Sequence, residues 1–548
     1  MADDPLLRRA ADWLAQDPDP RTAAALRALL EAAAREDGAA AAELADAFST
    51  DLAFGTAGLR GRLGPGSNRM NRVVVTRAAA GLARYLRDRG GRSVVIGYDA
   101  RHSSDVFARD TAQVMAGAGI ATMVLPQALP TPVLAFGIRF FGASAGVMVT
   151  ASHNPPQDNG YKVYLGDGSQ IVPPADTEIA NAIAAVGRTT DIPRSADFEA
   201  LSHDLVDAYV NAAASLIAPA APRDLRVVST SLHGVGHEVW VAAMRAAGYR
   251  VPSVVLSQAE PDPDFPTVAF PNPEEAGAAD LLLQQAAVTG ADVAIAHDPD
   301  ADRCAAGVLD PQTNAWRLLT GDELGTLLGW WSIERARRFD LPEPNGVFAC
   351  SIVSSTLLLK IARAHGITAT QTLTGFKWIG RVDGLDYGYE EALGYCVAPQ
   401  LVADKDGITA ALRVVEMAAT LKAAGRTLLD ALDDIYAQHG RHATAQLSVR
   451  MTEIEAIKAA VQRLREHPPT ELAGRAVVAV DDLAKGVDGL PPTDGVRLRM
   501  HDGQVIVRPS GTEPKLKCYL EYIARVDAAT ANTVLAQTKH ALQTTLGL

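Results

Sequence analysis

Along most of the chain, short apolar runs typical of strands alternate with longer stretches whose apolar residues recur at helical spacing. The apolar run 93–98 predicts a strand, helical spacing follows over 105–116, and further strands are predicted over 121–125 and 146–150. Strands that alternate with helices of about 10 to 15 residues predict βαβ units on a largely parallel sheet. The first part of the chain is therefore predicted to form an α/β domain, preceded by two helices within residues 5–48.

The same alternation begins again near residue 225 and a third time at residue 321, which indicates three related α/β domains with mixed, largely parallel sheets. From about residue 441 the pattern changes to a strand, a helix, two short strands around a turn and a last helix, which predicts a C-terminal α+β domain. The predicted domains cover residues 1–203, 204–317, 318–440 and 441–548.

Composition limits the kinds of partner. The 548 residues include 51 basic and 64 acidic side chains, a formal net charge of −13, and 48% hydrophobic residues. These values exclude a mainly disordered chain. Because an acidic surface repels nucleic-acid phosphates and anionic lipids, a phosphate-containing ligand would need a local cationic pocket. We therefore expect small-molecule partners, and neither nucleic acid nor a membrane.

Cysteine usage and the N-terminus bear on the compartment. The four cysteines lie tens of residues apart without a C-x-x-C pair, which favours free thiols and argues against a zinc site. The chain starts with acidic residues where a signal peptide would be basic, and no apolar run approaches the ~20 residues of a membrane span. A cytoplasmic protein is predicted.

Three aspartates, Asp298, Asp300 and Asp302, alternate directly after an apolar strand. The carboxyl ends of parallel strands are where open α/β sheets bind ligands. Three carboxylates so close repel one another unless a cation lies among them, and oxygen ligands select a hard ion such as Mg²⁺. An EF-hand is excluded because Arg303 and Leu309 occupy its glycine and glutamate positions. A solvated acidic turn is the structural alternative.

A second loop, Thr150-Ala151-Ser152-His153-Asn154-Pro155-Pro156, also follows an apolar strand and presents Ser152. It is not a G-x-S-x-G nucleophile elbow, because neither glycine is present. A hydrolase pair of Ser152 with His153 is disfavoured, since adjacent side chains are expected to diverge and no third member is evident. A simple turn is the alternative. Lys162, ten residues after Ser152, is a candidate proton acceptor or phosphate contact.

A third loop, over residues 507–514, joins two predicted strands and offers a guanidinium, two hydroxyls and a glycine. Such a set can bind a phosphate monoester, because glycine lets backbone N–H groups approach the anion. The loop lacks the Walker pattern, so a nucleotide site is not implied. Its candidate residues are Arg508, Ser510, Gly511 and Thr512.

Two weaker motifs complete the candidate chemistry. Arg60 lies in a glycine-rich cationic loop, and Glu390 and Glu391 form a carboxylate pair that could accept hydrogen bonds from sugar hydroxyls. Each could equally be an ordinary solvated segment if it stood alone.

Taken in order, the Ser152 loop, the three aspartates, the glutamate pair and the Arg508 loop resemble the motifs of the α-D-phosphohexomutase superfamily, the phosphoglucomutases and phosphomannomutases. The resemblance extends from Phe54 to about Tyr522. It implies four domains around a central cleft, a phosphoserine at Ser152 and bound Mg²⁺. The implied metal ligands are Ser152, through its phosphate, with Asp298, Asp300 and Asp302.

The same resemblance assigns the other site residues. Those implied to be catalytic are Ser152, His153, Arg60, Lys162 and Arg303. Those implied to bind the substrate are Thr374, Gly375, Lys377, Glu390, Glu391, Arg508, Ser510, Gly511 and Thr512. The implied reaction interconverts hexose 1-phosphate and hexose 6-phosphate of glucose or mannose through a bisphosphate. A hexose 1,6-bisphosphate activator and a monomer or homodimer are also expected.

The sugar-binding loop leaves the substrate open. Hexomutases of this superfamily commonly carry G-E-E-S or G-E-M-S, whereas this chain has Tyr389-Glu390-Glu391-Ala392. With the sequence 375–379, this loop resembles more closely the branch of phosphopentomutases and glucose-1,6-bisphosphate synthases. A phosphopentomutase acting on ribose or deoxyribose phosphates is therefore the main alternative.

Two other classes compete with a mutase. A metal-dependent sugar-phosphate phosphatase of the haloacid dehalogenase type is one, because Asp298-Pro299-Asp300 resembles its nucleophile motif, although Asp302 replaces the usual Thr or Val. That hypothesis leaves the Ser152 and Arg508 loops without a role. A non-catalytic sugar-phosphate sensor is disfavoured by the presence of Ser152 and all three aspartates.

Overall fold

The computed structural model describes residues 4–55, 58–450, 454–510 and 515–547. The chain divides into two compact units: residues 1–318 with 394–419, and residues 319–393 with 420–548. Within the described residues, no helix combines the length and apolar character that crossing a membrane requires.

Three helices, not the predicted two, precede the first sheet: Pro5–Leu14, Pro20–Ala34 and Gly38–Ala47. The prediction missed the second break because the alanine-rich sequence continues on both sides of it. The break lies at Asp37, whose carboxylate accepts hydrogen bonds from the backbone N–H groups of Ala39 and Ala40 and so caps the third helix.

The first sheet has six strands, and its central strands are parallel, as the alternating pattern predicts. The strand at 158–165 pairs antiparallel on both of its sides, which makes the sheet mixed. In spatial order the strands are Leu59–Arg62, Asp158–Leu165, Ala145–Val149, Ser93–Tyr98, Ala121–Val124 and Glu199–Ala200. Its helices are Arg72–Asp88, Ser104–Gly117, Thr131–Phe140, Ala175–Ala184 and the short Thr189–Asp191.

The second sheet repeats this build with three parallel strands followed by an antiparallel extension. Its strands in spatial order are Ala315–Leu318, Ala305–Asp310, Val293–Ala296, Val227–Thr230 and Ser253–Val254. The accompanying helices are Asp204–Ser215, Gly236–Ala246, Leu256–Gln258 and Asp280–Thr289.

A later stretch of chain, residues 394–419, belongs to this same unit. It contains the strand Gly394–Cys396 and most of the helix Gly407–Ala423. The Asp406 carboxylate accepts a hydrogen bond of 2.8 Å from the Tyr209 hydroxyl, and the Glu416 carboxylate accepts one of 2.7 Å from the Ala218 N–H. All four of these residues are buried, so buried polar contacts anchor the stretch.

The second unit contains a parallel set of strands and an antiparallel sheet. The parallel strands are Thr368–Thr372, Val347–Ser351 and Leu385–Glu390, with the helices Gly321–Arg338, Leu357–Ala364, Phe376–Ile379 and Leu428–His439. The antiparallel strands in order are Arg441–Arg450, Lys515–Ala524, Gly503–Pro509, Val496–Met500, Arg475–Asp482 and Glu471–Leu472. The helices Ile454–Glu466, Leu483–Lys485 and Ala528–Leu546 accompany them.

These observations confirm the predicted fold class of α/β domains with mixed sheets followed by an α+β domain. The four cysteines are buried free thiols, as predicted. The bounds of the four domains stay a prediction.

Candidate active site

The three aspartates form a buried cluster at the carboxyl end of the strand Val293–Ala296. Asp298, Asp300 and Asp302 have no solvent-exposed surface, and one carboxylate oxygen from each lies within 4.8 Å of the others. The loop turns at Ala301, whose backbone has φ +53° and whose N–H donates to the Asp298 carbonyl at 2.9 Å. This tight turn brings the alternating side chains together.

Two ammonium groups and a threonine hydroxyl contact the cluster. Lys162 Nζ lies 2.6 Å from Asp300 Oδ2 and 2.8 Å from Asp302 Oδ2, so this predicted residue is part of the assembly. Two contacts were not predicted: Lys405 Nζ lies 3.2 Å from Asp302 Oδ2, and the Thr131 hydroxyl donates to Asp300 Oδ2 at 2.6 Å.

Burial and charge affect the three carboxylates unequally. Burial, together with the neighbouring Asp300 and Asp302 carboxylates, raises the pKa of Asp298 well above its usual range. The pKa of Asp302, in contrast, lies far below its usual range. Burial alone would raise it, but the positive charges of Lys162, Lys405 and Arg303 have the larger effect. Neutralising the repulsion at Asp298 therefore requires a further cation or a proton.

The donor set fits a hard divalent cation. Asp300 Oδ1 and Asp302 Oδ1 are buried and accept no hydrogen bond, although the second oxygen of each carboxylate is paired. Unpaired buried carboxylate oxygens are costly unless a ligand uses them. An all-oxygen set of this kind suits Mg²⁺ rather than zinc or copper.

Ser152 lies beside this cluster. Its hydroxyl donates to Asp298 Oδ2 at 2.9 Å, and its side chain is almost fully buried. The Ser152 backbone has φ +52°, a left-handed conformation that serine seldom adopts. This conformation directs the hydroxyl to the aspartates.

His153 corrects one expectation. The side chains of Ser152 and His153 do not diverge: Ser152 Oγ lies 3.2 Å from His153 Nδ1. The left-handed backbone at Ser152 brings the two neighbours to the same side, which the alternation of an extended chain would not do. His153 is thus within hydrogen-bond reach of the hydroxyl.

The two predicted arginines of this unit also lie at the site. Arg303 Nε is 3.7 Å from Asp298 Oδ2 and 3.8 Å from Asp302 Oδ1, while its backbone N–H donates to Asp298 Oδ1. Arg60, on the strand Leu59–Arg62, donates to the side-chain oxygen of Asn154 at 3.2 Å. Burial lowers the pKa of Arg60 from its ordinary value. Arg60 nevertheless remains a cation at neutral pH, because the pKa of an arginine starts so high.

The remaining candidate residues belong to the second unit. Glu391 is fixed by serines: the hydroxyls of Ser351 and Ser354 donate to its Oε2 at 3.0 and 3.2 Å. Glu390 ends the strand Leu385–Glu390 and is half-buried, as is Lys377 in the short helix Phe376–Ile379. Thr374 and Gly375 precede that helix, and Gly375 has φ +102°.

The Arg508 loop is described in part. Arg508 is half-buried near the end of the strand Gly503–Pro509, and the Ser510 N–H donates to the Lys515 carbonyl at 2.8 Å. The candidates Gly511 and Thr512 lie outside the described residues. The strands on both sides of the loop agree with the prediction that it joins two strands.

Sequence reasoning also missed a third arginine, Arg101. Its guanidinium donates to the backbone carbonyls of Ser152 and Asn154, so it lies directly under the serine loop. The available signal was a charged pair, Asp99 and Arg101, placed directly after the strand Ser93–Tyr98, which is the parallel neighbour of the strand before Ser152.

Comparison with known proteins gives consistent matches along the chain. Residues 51–189, 207–310 and 320–439 match domains I, II and III of the alpha/beta/alpha type in the family "Phosphoglucomutase/phosphomannomutase", and residues 447–539 match its C-terminal domain.

Curated relatives and solved structures agree. A Haemophilus influenzae protein named "Probable phosphomannomutase" is 47% identical over 85% of this chain and 96% of its own length. The human "Phosphopentomutase" is 34% identical over 94% of this chain and 91% of its own length. A solved structure from Thermus thermophilus, named for phosphomannomutase, has a TM-score of 0.71 at 25% identity and covers 90% of this chain and 99% of its own.

Proposed function

Because the chain belongs to the phosphoglucomutase/phosphomannomutase family, we propose that it interconverts hexose 1-phosphate and hexose 6-phosphate of glucose, mannose or both. It is an isomerase, an intramolecular phosphotransferase, like the relatives that bear mutase names. The observation that carries the proposal is the 2.9 Å contact between the Ser152 hydroxyl and Asp298 of the buried aspartate cluster.

The proposed reaction begins with a phosphoryl group on Ser152. A hydroxyl oxygen of the sugar phosphate attacks the phosphorus, the bond from phosphorus to Ser152 Oγ breaks, and the hydroxyl proton passes to a base. The product is a sugar bisphosphate. After the bisphosphate turns over, Ser152 Oγ attacks the phosphorus of the other phosphate, and the bond from that phosphorus to the sugar oxygen breaks. The sugar oxygen takes back the proton from the base, and the isomeric monophosphate leaves. Phosphorus and charge balance over the two transfers, and Ser152 ends as it began.

Positive charge around the serine supports these transfers. A phosphoryl group in transfer spreads negative charge over its oxygens, and preorganised cations stabilise that charge. Arg60, Lys162 and Arg303 are proposed to do this, and His153, 3.2 Å from Ser152 Oγ, is proposed to assist in proton movement.

Mg²⁺ is the proposed metal, held by Asp298, Asp300, Asp302 and a phosphate oxygen on Ser152. When bound, Mg²⁺ acts as a Lewis acid that draws charge from the phosphoryl oxygens. The two buried carboxylate oxygens without hydrogen-bond partners support this assignment. A hexose 1,6-bisphosphate is proposed as the activator that phosphorylates Ser152.

Substrate binding is assigned to residues of the second unit. Glu391, held by two serine hydroxyls, is proposed with Glu390 to accept hydrogen bonds from the sugar. The other proposed contacts to the sugar and its non-reacting phosphate come from Thr374, Gly375, Lys377, Arg508, Ser510, Gly511 and Thr512. Replacing Arg508 by alanine is expected chiefly to weaken binding of the non-reacting phosphate, because a charge-assisted contact is lost.

A phosphopentomutase is the second candidate. Ala392 stands where hexomutases of the superfamily commonly have serine, and the human relative is named for pentose phosphate. Loss of a hydroxyl at the sugar loop alters which sugar hydroxyls can be paired. The remaining predictions, a cytoplasmic monomer or homodimer that binds neither nucleic acid nor membrane, stay part of this proposal.

A phosphoenzyme experiment combined with a substrate panel tests the proposal. Protein treated with Mg²⁺ and glucose 1,6-bisphosphate should carry acid-stable phosphate on Ser152 by mass spectrometry, whereas a labile phosphate on Asp298 would support a phosphatase instead. Turnover is then measured on glucose, mannose, ribose and deoxyribose 1-phosphates. Highest kcat/KM with a hexose supports the first candidate, and with a pentose the second.

A further inference from the structure

The backbone of the loop that carries Ser152 is bound by one buried guanidinium, that of Arg101. Arg101 Nη2 donates to the carbonyl oxygens of Ser152 at 2.5 Å and Asn154 at 2.6 Å. Arg101 Nη1 donates to those of Pro155 at 2.9 Å and Asp158 at 3.2 Å. Four carbonyl groups from one loop therefore converge on a single side chain.

Arg101 is itself fixed on several sides. Its side chain is 1% exposed, and its Nε lies 3.3 Å from Asp99 Oδ2. The guanidinium lies over the Phe265 ring, 4.9 Å from the ring centroid, and its backbone N–H donates to Asp99 Oδ1 at 3.1 Å. A planar group held by an ion pair, a ring and four carbonyls has little freedom to move.

Asp99 also reaches the other side of Ser152. The Thr150 hydroxyl donates to Asp99 Oδ2 at 2.6 Å and accepts a hydrogen bond of 2.9 Å from the Ser152 N–H. Both the N–H and the carbonyl of Ser152 are thus tied to the Asp99–Arg101 pair. This matters because Ser152 has a left-handed backbone, φ +52°, which must be maintained by its surroundings.

We propose that Arg101, held by Asp99, is a positioning residue for phosphoryl transfer: it fixes the Ser152 loop so that the hydroxyl stays at Asp298. This inference rests on the proposed function for its chemistry. Arg101 is not proposed to touch the substrate, since its side chain is covered by the loop that it binds. Its effect would pass through the orientation of Ser152, and small displacements of a reacting atom have large effects on rate.

The pattern of donors explains why arginine is required. A guanidinium presents five N–H donors in a rigid plane, whereas an ammonium has three donors on a flexible stem. A lysine at position 101 would keep the positive charge but would leave some of the four carbonyls without their donor. The substitution Arg101→Lys therefore tests the hydrogen bonds to the loop while the positive charge at this position is kept.

The chain contains a matched control in Arg223. Its guanidinium also binds backbone carbonyls, those of Ala218 at 3.1 Å and Ala247 at 2.8 Å, and lies over the Tyr249 ring at 4.9 Å. These contacts involve none of the candidate site residues. Arg223→Lys therefore also removes hydrogen bonds from a guanidinium to backbone carbonyls, but at a place away from Ser152.

The first test is single-turnover phosphorylation of the dephosphorylated full-length protein by glucose 1,6-bisphosphate with Mg²⁺, followed by mass spectrometry of Ser152. Arg101→Lys is expected to slow phosphorylation about 10²-fold per folded molecule, while the Kd for glucose 6-phosphate stays near that of the wild type. Arg223→Lys is expected to keep the wild-type rate, although both variants lower the unfolding temperature. If Arg101→Lys does not fold, Asp99→Asn should slow phosphorylation in the same direction.

The second test is hydrogen exchange, which does not depend on the reaction. Arg101→Lys should speed amide exchange over residues 150–160, and Arg223→Lys should not. Wild-type exchange in this segment, or phosphorylation slowed equally in both lysine variants, would overturn the proposal. Wild-type protein that forms no phosphoserine would instead contradict the proposed function, and the exchange result would still decide whether Arg101 fixes the loop.

Discussion

Two loops in the first unit have the same backbone design and different chemistry. The Ser152 loop follows the strand Ala145–Val149, and a second loop around Leu232 follows the strand Val227–Thr230. The hydroxyl of Thr150 accepts from the Ser152 N–H at 2.9 Å, and that of Thr230 accepts from the Leu232 N–H at 3.1 Å. Both central residues are left-handed, with φ +52° and +46°.

The partner of each threonine marks the difference. The Thr150 hydroxyl donates to Asp99 and the Thr230 hydroxyl to Gln258, each at 2.6 Å. Asp99 forms an ion pair with Arg101, whereas Gln258 donates to the hydroxyl of Thr267 at 2.9 Å. The threonine of the first turn thus contacts a charged pair, and the threonine of the second contacts neutral side chains.

The Leu232 loop nevertheless contributes to the site as a support. Gly234 lies so close to the aspartate loop that a Cβ atom added to it would be 2.2 Å from Pro299 Cα. The neighbouring Val235 N–H donates to the Pro299 carbonyl at 2.8 Å. The comparison teaches that the same threonine contact accompanies a left-handed residue in both loops, and that the chemistry of each loop depends on the groups around that residue.

The largest effect is expected from removing the hydroxyl at the left-handed position of the first loop, where the second loop has Leu232. Ser152→Ala should lower mutase turnover by about 10⁴-fold or more, because no phosphoenzyme can form. Glucose 6-phosphate should still bind, as measured by calorimetry. Ser231→Ala, in the second loop, is the control and should retain turnover. Unchanged activity in Ser152→Ala would show that the nucleophile lies elsewhere.

The supporting role of the second loop is tested next. Gly234→Ala should raise the Mg²⁺ concentration for half-maximal activity by about tenfold to a hundredfold, because the new methyl group displaces the Pro299 backbone beside the aspartates. Gly187→Ala, at a position where a Cβ meets nothing within 4 Å, is the matched control. An unaltered Mg²⁺ requirement in a folded Gly234→Ala protein would remove the second loop from the metal site.

A paired substitution then separates stability from catalysis. Thr150→Val and Thr230→Val each leave buried polar groups without partners, so both should destabilise the protein by about 1–3 kcal/mol in denaturant unfolding. Thr150→Val alone should also lower turnover by about tenfold, which corresponds to about 1.4 kcal/mol. Equal losses of turnover in the two variants would contradict the division of roles between the loops.

The smallest expected effect is on the pH dependence of stability. The threonine of the first loop donates to a titratable group, Asp99, whereas that of the second donates to Gln258. Burial raises the pKa of Asp99 above its usual range, although Arg101, Thr150 and Ser104 act to lower it. A raised native pKa means that the stability from this group is present below its unfolded-state pKa and is lost as pH rises through the native value.

Asp99→Asn should therefore flatten the decline of stability above about pH 4, the ordinary pKa of an aspartate in an unfolded chain. The measurement is the denaturant midpoint at several pH values between about 4 and 7. Gln258→Ala is the control, because it removes the corresponding partner of Thr230 without removing a titratable group. A steeper decline in Asp99→Asn would show that the native pKa is lowered instead.

The parts of the fold that the sequence predicts well are those with strong local signals. The helix Gly321–Arg338 starts at residue 321, where the third round of alternation was predicted to begin, because Thr320 and Glu323 form a capping box there. The aspartate cluster was predictable for a similar reason, since its three members lie close together in the sequence. The third N-terminal helix was missed because one capping aspartate, Asp37, interrupts an otherwise continuous alanine-rich pattern.

The parts of the site that the sequence does not reveal depend on which strands and segments become neighbours. Arg101 lies 51 residues before Ser152, and its role follows from the parallel pairing of two strands. The expected divergence of Ser152 and His153 was wrong because it assumed extended backbone, and one left-handed residue reverses the direction of a side chain. Lys405 carried no local signal that links it to Asp302.

That last contact constrains how the protein is made. The aspartates are synthesised about a hundred residues before Lys405, whose ammonium lies 3.2 Å from Asp302, and the Gly407 N–H donates to the Ala301 carbonyl of the same loop. When the first two sheets have left the ribosome, Lys405 has not yet been synthesised. The three aspartates therefore lack one of their positively charged neighbours at that stage. Completion of this unit must wait for translation to proceed past residue 419, through most of the sequence of a later domain.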